Sequence, residues 1–315
     1  MSSATHHHAH HPPLKGYLYA ALVVAIWTGF ILVSRVGGVS QLTSWDVIAI
    51  RYLTAAGVLL PFWWFRRRVV LMDRRLWLLA AMGGLAYAVL AFASFKLAPA
   101  AHAAVLLPGL QPFAVALVAW WLLGEVPHAT RQRGLAIIAG GVACLAVDVF
   151  LGNRAVFQGD LLMVGAAACW ACYSVLLRRW AVSPWDATLG VTLLTALVYL
   201  PIYLLALPKQ LALAPWGDIA LQSVYQGLVV TILQMLLYVR TVALIGPTRL
   251  GMLMALVPAL AGIAAVPLLG EALSLWVLAG LGLVCLGAWL GNRKPVVKPG
   301  NPSCLTSISK SPAKL

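Results

Sequence analysis

From Tyr17 onward the chain is a succession of apolar runs, each near the roughly 20 residues that a helix needs to cross a bilayer, separated by short stretches carrying Pro, Gly, Asp or Arg. The first run, Tyr17 to Val33, ends at Ser34-Arg35 and is too long for a signal-peptide core, so it reads as an uncleaved span. Further runs lie at about 45–65, 76–97, 100–123, 133–151, 160–178, 187–207, 216–239, 248–269 and 274–291. Within each run the apolar residues are continuous, which excludes a β-barrel, whose strands would show short segments of alternating polarity. The pattern predicts an all-α polytopic membrane protein with ten transmembrane helices.

Composition fixes the same class, because 62% of the residues are apolar and only 10% are charged, whereas soluble domains carry about 25% charged residues. A two-domain soluble enzyme is excluded. The net charge of +14 is a topology signal before it is a sign of nucleic acid, and no nucleic-acid partner is expected. With the start placed inside, 17 of the 22 Lys and Arg residues fall on the cytoplasmic side, and the other five (Arg35, Arg51, Lys96, Arg154, Lys209) lie at or near the opposite face. That bias predicts a multi-pass protein of the cell membrane, of the bacterial inner-membrane type, with both termini cytoplasmic. Residues 1–15 read as a disordered His-rich leader and residues 292–315 as a disordered cytoplasmic tail. The leader's H-H-H-A-H-H run lacks the fixed geometry of a metal site, and neither a metal nor a cofactor is expected. Four of the five cysteines, Cys144, Cys169, Cys172 and Cys285, fall inside apolar runs and read as small hydrophobes without a disulfide.

The two halves of the chain repeat each other. Leu122-Leu123-Gly124-Glu125 recurs as Leu268-Leu269-Gly270-Glu271, and the same offset of 146 carries Pro112 to Pro258, Gly134 to Gly280 and Gly141 to Gly287. Trp45-Asp46 maps to Trp185-Asp186 and Pro61 to Pro201 at an offset of 140, and Trp27 maps to Trp170 at 143. The repeats span 16–152 and 159–291, five helices each. Five is odd, so the second copy enters the membrane from the opposite side, giving the inverted-topology repeat that characterises secondary transporters.

The segments L-P-G-L-Q-P-F-A-V-A-L-V-A-W-W-L-L-G-E (107–125) and L-M-A-L-V-P-A-L-A-G-I-A-A-V-P-L-L-G-E (253–271) resemble the signature of EamA-type transporters, a family of the drug/metabolite transporter superfamily. The resemblance covers nearly the whole chain. It implies export or exchange of small metabolites, often amino acids or related compounds, by alternating access. Sugar-phosphate and nucleotide-sugar carriers are similar at this level.

Tryptophan prefers the membrane interface, yet Trp27 and Trp170 fall near the middle of their spans and occupy matching positions in the two repeats. They read either as packing residues or as the lining of a central cavity. Tyr87, Gln111, Tyr173, Ser174, Thr231 and Gln234 are further midplane polar groups, costly against lipid unless partnered. Interhelical hydrogen bonding is the alternative for them. Gln111 precedes Pro112, which inside a helix frees the carbonyl of Pro108, whereas Val257 occupies the Gln111 position in the second half, so the binding surface should be asymmetric. Glu125 and Glu271 read as structural carboxylates that meet exposed helical N–H groups.

An intramembrane enzyme would need a nucleophile, metal ligands or an acid/base pair at depth. The eight acidic residues, Asp46, Asp73, Glu125, Asp148, Asp160, Asp186, Asp218 and Glu271, all fall at span ends or loops, and no catalytic motif accompanies them. For the same reason the sequence favours movement of substrate down its own gradient, with Lys96 and His102 as the titratable pair at the outer mouth.

Overall fold

The computed structural model describes residues 14–66, 71–151 and 154–293; the expectations for the His-rich leader and most of the tail lie outside them. Among the described residues nine helices are long and apolar enough to cross a membrane: α1 Leu14–Val39, α2 Ser44–Phe65, α3 Arg74–Leu97, α4 Ala100–Leu123, α5 Ala129–Leu151, α6 Arg154–Arg179, α7 Pro184–Ala206, α8 Trp216–Ile245 and α9 Pro247–Leu269. A shorter apolar helix, α10 Leu275–Gly291, completes the second set of five. The connections after α1, α3, α5, α7 and α9 share one face, called here the loop face. The start of α1 and the end of α10 share the other, the terminal face.

On the loop face Asp46, fully buried, ties the α1–α2 turn to the second repeat. Its carboxylate accepts from Thr43 N at 2.8 Å, Thr43 Oγ1 at 2.7 Å, Tyr203 Oη at 2.5 Å and Gln210 N at 3.1 Å. Four donors replace the water that an ionised carboxylate loses on burial.

The repeat is expressed in contacts as well as in sequence. A Cβ on Gly134 would stand 2.5 Å from the Gly287 carbonyl oxygen, and one on Gly287 would stand 2.5 Å from that of Gly134. Gly141 and Gly280 approach each other in the same way, at 2.9 and 3.0 Å. Because Gly134 corresponds to Gly280 and Gly141 to Gly287, exchanging the repeats turns one contact into the other, so α5 and α10 cross on the pseudo-two-fold axis. Small residues allow such close backbone approach in a bilayer, where van der Waals packing drives helix association. Gly287→Val is expected to cost about 2–3 kcal/mol or more through overpacking against backbone, read as a lowered unfolding temperature in detergent; an unchanged temperature would contradict this crossing.

Other local features obey the same symmetry. Gly124 and Gly270, with φ of 69° and 66°, end α4 and α9 in the left-handed conformation. That is why the repeated tetrapeptide carries glycine before its glutamate. π-helical stretches begin at Ala80 in α3 and at Ser223 in α8, again 143 residues apart, and such irregular turns often sit at functional sites.

One local expectation is corrected. Pro112 does not kink a continuous helix: α4 runs into a π stretch at Val105–Gly109, turns at Leu110 and restarts at Gln111, with Pro112 in the first turn of the new segment. There its missing N–H has no helical partner to lose. Pro258 occupies the same place in α9, after a turn at Ala255 and Leu256.

Candidate functional site

Trp27 and Trp170 meet at the centre of the bundle, ring centroids 6.1 Å apart and nearly perpendicular. Symmetry mates in direct contact mark the point where the pseudo-two-fold axis passes between α1 and α6. Trp170 also packs on Tyr87 at 5.0 Å and on Tyr173 at 5.1 Å, and Trp27 continues to Phe30 at 5.8 Å. Of the expected site residues, Trp27, Tyr87, Trp170 and Tyr173 are thus brought together. Tyr87 is buried, whereas Trp27, Trp170 and Tyr173 keep part of their surface accessible.

Ser174 and Thr231 turn their hydroxyls to their own helices, donating to Trp170 O at 2.7 Å and to Gln226 O at 2.8 Å. Gln234 is half-buried on α8. Gln111 Nε2 is buried without a hydrogen-bond partner, as are Thr28 Oγ1, Arg51 Nε and Gln222 Oε1. Buried polar atoms are rarely left orphaned, and four such atoms on α1, α2, α4 and α8 are groups available to water or a ligand. A cavity of about 340 Å³ opens on the terminal face, lined in part by Pro112, His128, Arg131, Thr248 and Arg293. Its lining includes Pro112, which follows Gln111 at the start of the second segment of α4.

Two ion pairs, both missed in the sequence reading, join the repeats at opposite faces. Arg35 Nε meets Glu271 Oε1 at 2.7 Å on the loop face, and Arg178 Nη2 meets Glu125 Oε2 at 2.7 Å on the terminal face. Arg35 and Arg178 stand 143 residues apart, the offset that relates Trp27 to Trp170, and Glu125 and Glu271 are the repeated glutamates. The pairs are therefore symmetry equivalents in different states. On the loop face the side chains are 16% and 11% exposed, Arg35 also donates to Phe95 O at 2.6 Å and Glu271 accepts from Ala100 N at 2.8 Å. On the terminal face they are 54% and 50% exposed. Glu271 does meet an exposed helical N–H, but at the start of α4, in the other repeat, and not at the helix that follows it. Both contacts are formed at 2.7 Å, shielded on the loop face and exposed to solvent on the terminal face.

His102 adds to the loop-face clamp. It is buried on α4, with Nδ1 3.0 Å from both carboxylate oxygens of Asp160 and Nε2 3.6 Å from Asp148. Lys96 stands apart, exposed and bonded to Ser40 O at 3.1 Å. The expectation of uncoupled movement rested on the lack of a carboxylate near a midplane; Asp46 and Asp160, both buried, lie near the starts of α2 and α6.

The comparisons with known proteins come down to one family and one fold. No curated protein matches the chain. A solved structure described as "Crystal structure of protein" has a TM-score of 0.59 to this one at 21% identity, over 88% of this chain and 96% of that chain, a likeness of fold. The model of the EamA-like transporter family matches residues 14–147 and again 157–293, the two halves related by the symmetry described above. The chain belongs to the EamA-like transporter family, as a membrane transporter of small molecules built from two inverted five-helix repeats.

Proposed function

We propose that the protein exports or exchanges small amphiphilic metabolites, amino acids or related compounds, by alternating access, without catalysing a reaction. Its setting is the cell membrane, with the terminal face cytoplasmic. The observation that carries this reading is the pair of symmetry-equivalent ion pairs, one buried and one exposed. Two inverted halves exchange open and closed arrangements around a site near the midplane, and contacts that differ only in state at the two faces are what such an exchange requires. The aromatic centre suits apolar side chains and ammonium groups, and the orphaned amides suit polar ends.

Reconstitution in vesicles with radiolabelled amino acids, sugar phosphates and nucleotide sugars tests the reading. Saturable exchange of an amino acid, with no chemical change to it, is the expected result. Exchange of sugar phosphates or nucleotide sugars alone would reassign the substrate, and product formation would point to an enzyme. Reporter fusions after residues 70, 130, 180, 245 and 295 should all report cytoplasm; an external signal at 295 would contradict the orientation.

A further inference from the structure

Arg51 lies seven residues into α2, about 10 Å below its start at 1.5 Å per residue. A cation at that depth is costly unless paired, and ionisable side chains inside a bilayer face the bundle and mark ligand paths. Arg35 and Arg178 have carboxylate partners at 2.7 Å. Among the described residues Arg51 has none. Its hydrogen-bond contact is Gln226 Oε1 at 3.3 Å, longer than the roughly 2.7–2.9 Å of a charge-assisted bond. Its Nε is buried with no partner at all.

The surroundings are those of a held but unsatisfied group. Gln226 is fully buried and fixed from behind by donating to Ser34 Oγ at 2.9 Å. The Tyr52 and Phe92 rings lie 5.9 Å from the guanidinium carbon. Phe92 packs on Phe30 at 6.4 Å and Phe30 on Trp27 at 5.8 Å, so aromatic contacts run unbroken from Arg51 to Trp170. At the offset of 140 that relates α2 to α7, the equivalent of Arg51 is Val191. The repeat architecture therefore does not itself need a cation here.

We propose that Arg51 is the anchor for a carboxylate on the transported molecule, which defines the substrate class as small organic carboxylates with an apolar or aromatic body. The proposal rests on the transport reading above. The guanidinium fork presents paired N–H groups that match a carboxylate. One guanidinium neutralises one carboxylate, whereas a phosphate dianion would keep a net negative charge in the bilayer. The body of the ligand lies along the ring series, and the ammonium of an amino acid finds aromatic faces there.

The test is thermal unfolding of the purified full chain with benzoate, phenylalanine, benzamide, phenylalaninamide and a hexose phosphate, since a ligand that binds only the folded state raises its stability. Benzoate and phenylalanine should raise the unfolding temperature and the two amides should not. Arg51→Gln should weaken the carboxylate response at least tenfold. Gln226→Glu places a carboxylate beside Arg51 and should raise the unfolding temperature without ligand while abolishing the response, a result that a merely structural Arg51 would not produce and that stands even if Arg51→Gln fails to fold. Equal responses to carboxylates and amides, a wild-type response in Gln226→Glu, a response to the hexose phosphate alone, or no response to either carboxylate would each overturn the proposal. Arg51-dependent binding without flux across vesicles would instead sink the transport reading and leave the carboxylate site standing.

Discussion

Glu271→Gln should open the loop face, and the matching Glu125→Gln should scarcely disturb the terminal face. Removing one partner of a buried ion pair costs about 3–5 kcal/mol because the other charge stays buried. Arg35 and Glu271 are mostly shielded and held by two further hydrogen bonds. If that energy is lost only from the clamped state, the balance moves by a factor of about 100 to 5,000. Arg178 and Glu125 are about half exposed, and an exposed pair contributes about 0–1 kcal/mol, a factor of roughly five at most. Ser34, 1% exposed and adjacent to Arg35, gives the readout. With the native cysteines replaced, Ser34→Cys should resist a membrane-impermeant thiol reagent applied to the loop face. It should react at least about a hundredfold faster when Glu271→Gln is added. Equal effects of the two glutamine substitutions would show that the buried clamp is not what holds this state.

Trp170→Ala should lower flux at least about tenfold at equal membrane abundance, while Ser174→Ala should leave it within about twofold. Trp170 touches three other rings, Trp27, Tyr87 and Tyr173, and a tenfold loss is about 1.4 kcal/mol, within reach of one or two aromatic contacts. Ser174 spends its hydroxyl on the Trp170 carbonyl one turn back, so removing it takes nothing from the centre. Trp170→Phe, which keeps an aromatic face, should retain most of the activity. Vesicle exchange, scaled to the amount of reconstituted protein, separates these outcomes. A loss in Trp170→Ala explained wholly by reduced abundance would make the tryptophan a packing residue.

The spans and the inverted repeat were legible because both depend on local pattern. Runs of apolar residues set the helices, and a glycine needed at each left-handed terminus preserved the tetrapeptide that reveals the duplication. The central tryptophans were legible for a related reason, as residues placed where their preference for interfaces is not met. Partners distant in sequence were not legible. Arg35 meets Glu271 across 236 positions, and nothing near either residue announces the other, although the 143 offset linking Arg35 to Arg178 was present in the chain. Arg51 was grouped with residues near the loop face because span position gives depth only coarsely and says nothing of which side of a helix faces the bundle. Asp148 and Asp160 were placed correctly near helix ends, but their convergence on His102 depends on how α4, α5 and α6 pack. The rings of Trp27, Tyr87, Trp170 and Tyr173, expected as cavity lining, meet one another, and a void of about 340 Å³ lies nearer the terminal face.

Alternating access makes one demand that requires no knowledge of the substrate: the two faces must move in opposite senses. Spin-label distances measured by double electron–electron resonance, with one pair at Ser40 and Ala272 on the loop face and another at His128 and Arg179 on the terminal face, test it directly. On adding Glu271→Gln, the loop-face distance should lengthen while the terminal-face distance shortens. Distances that stay fixed, or that lengthen together at both faces, would contradict the exchange of states between the two repeats.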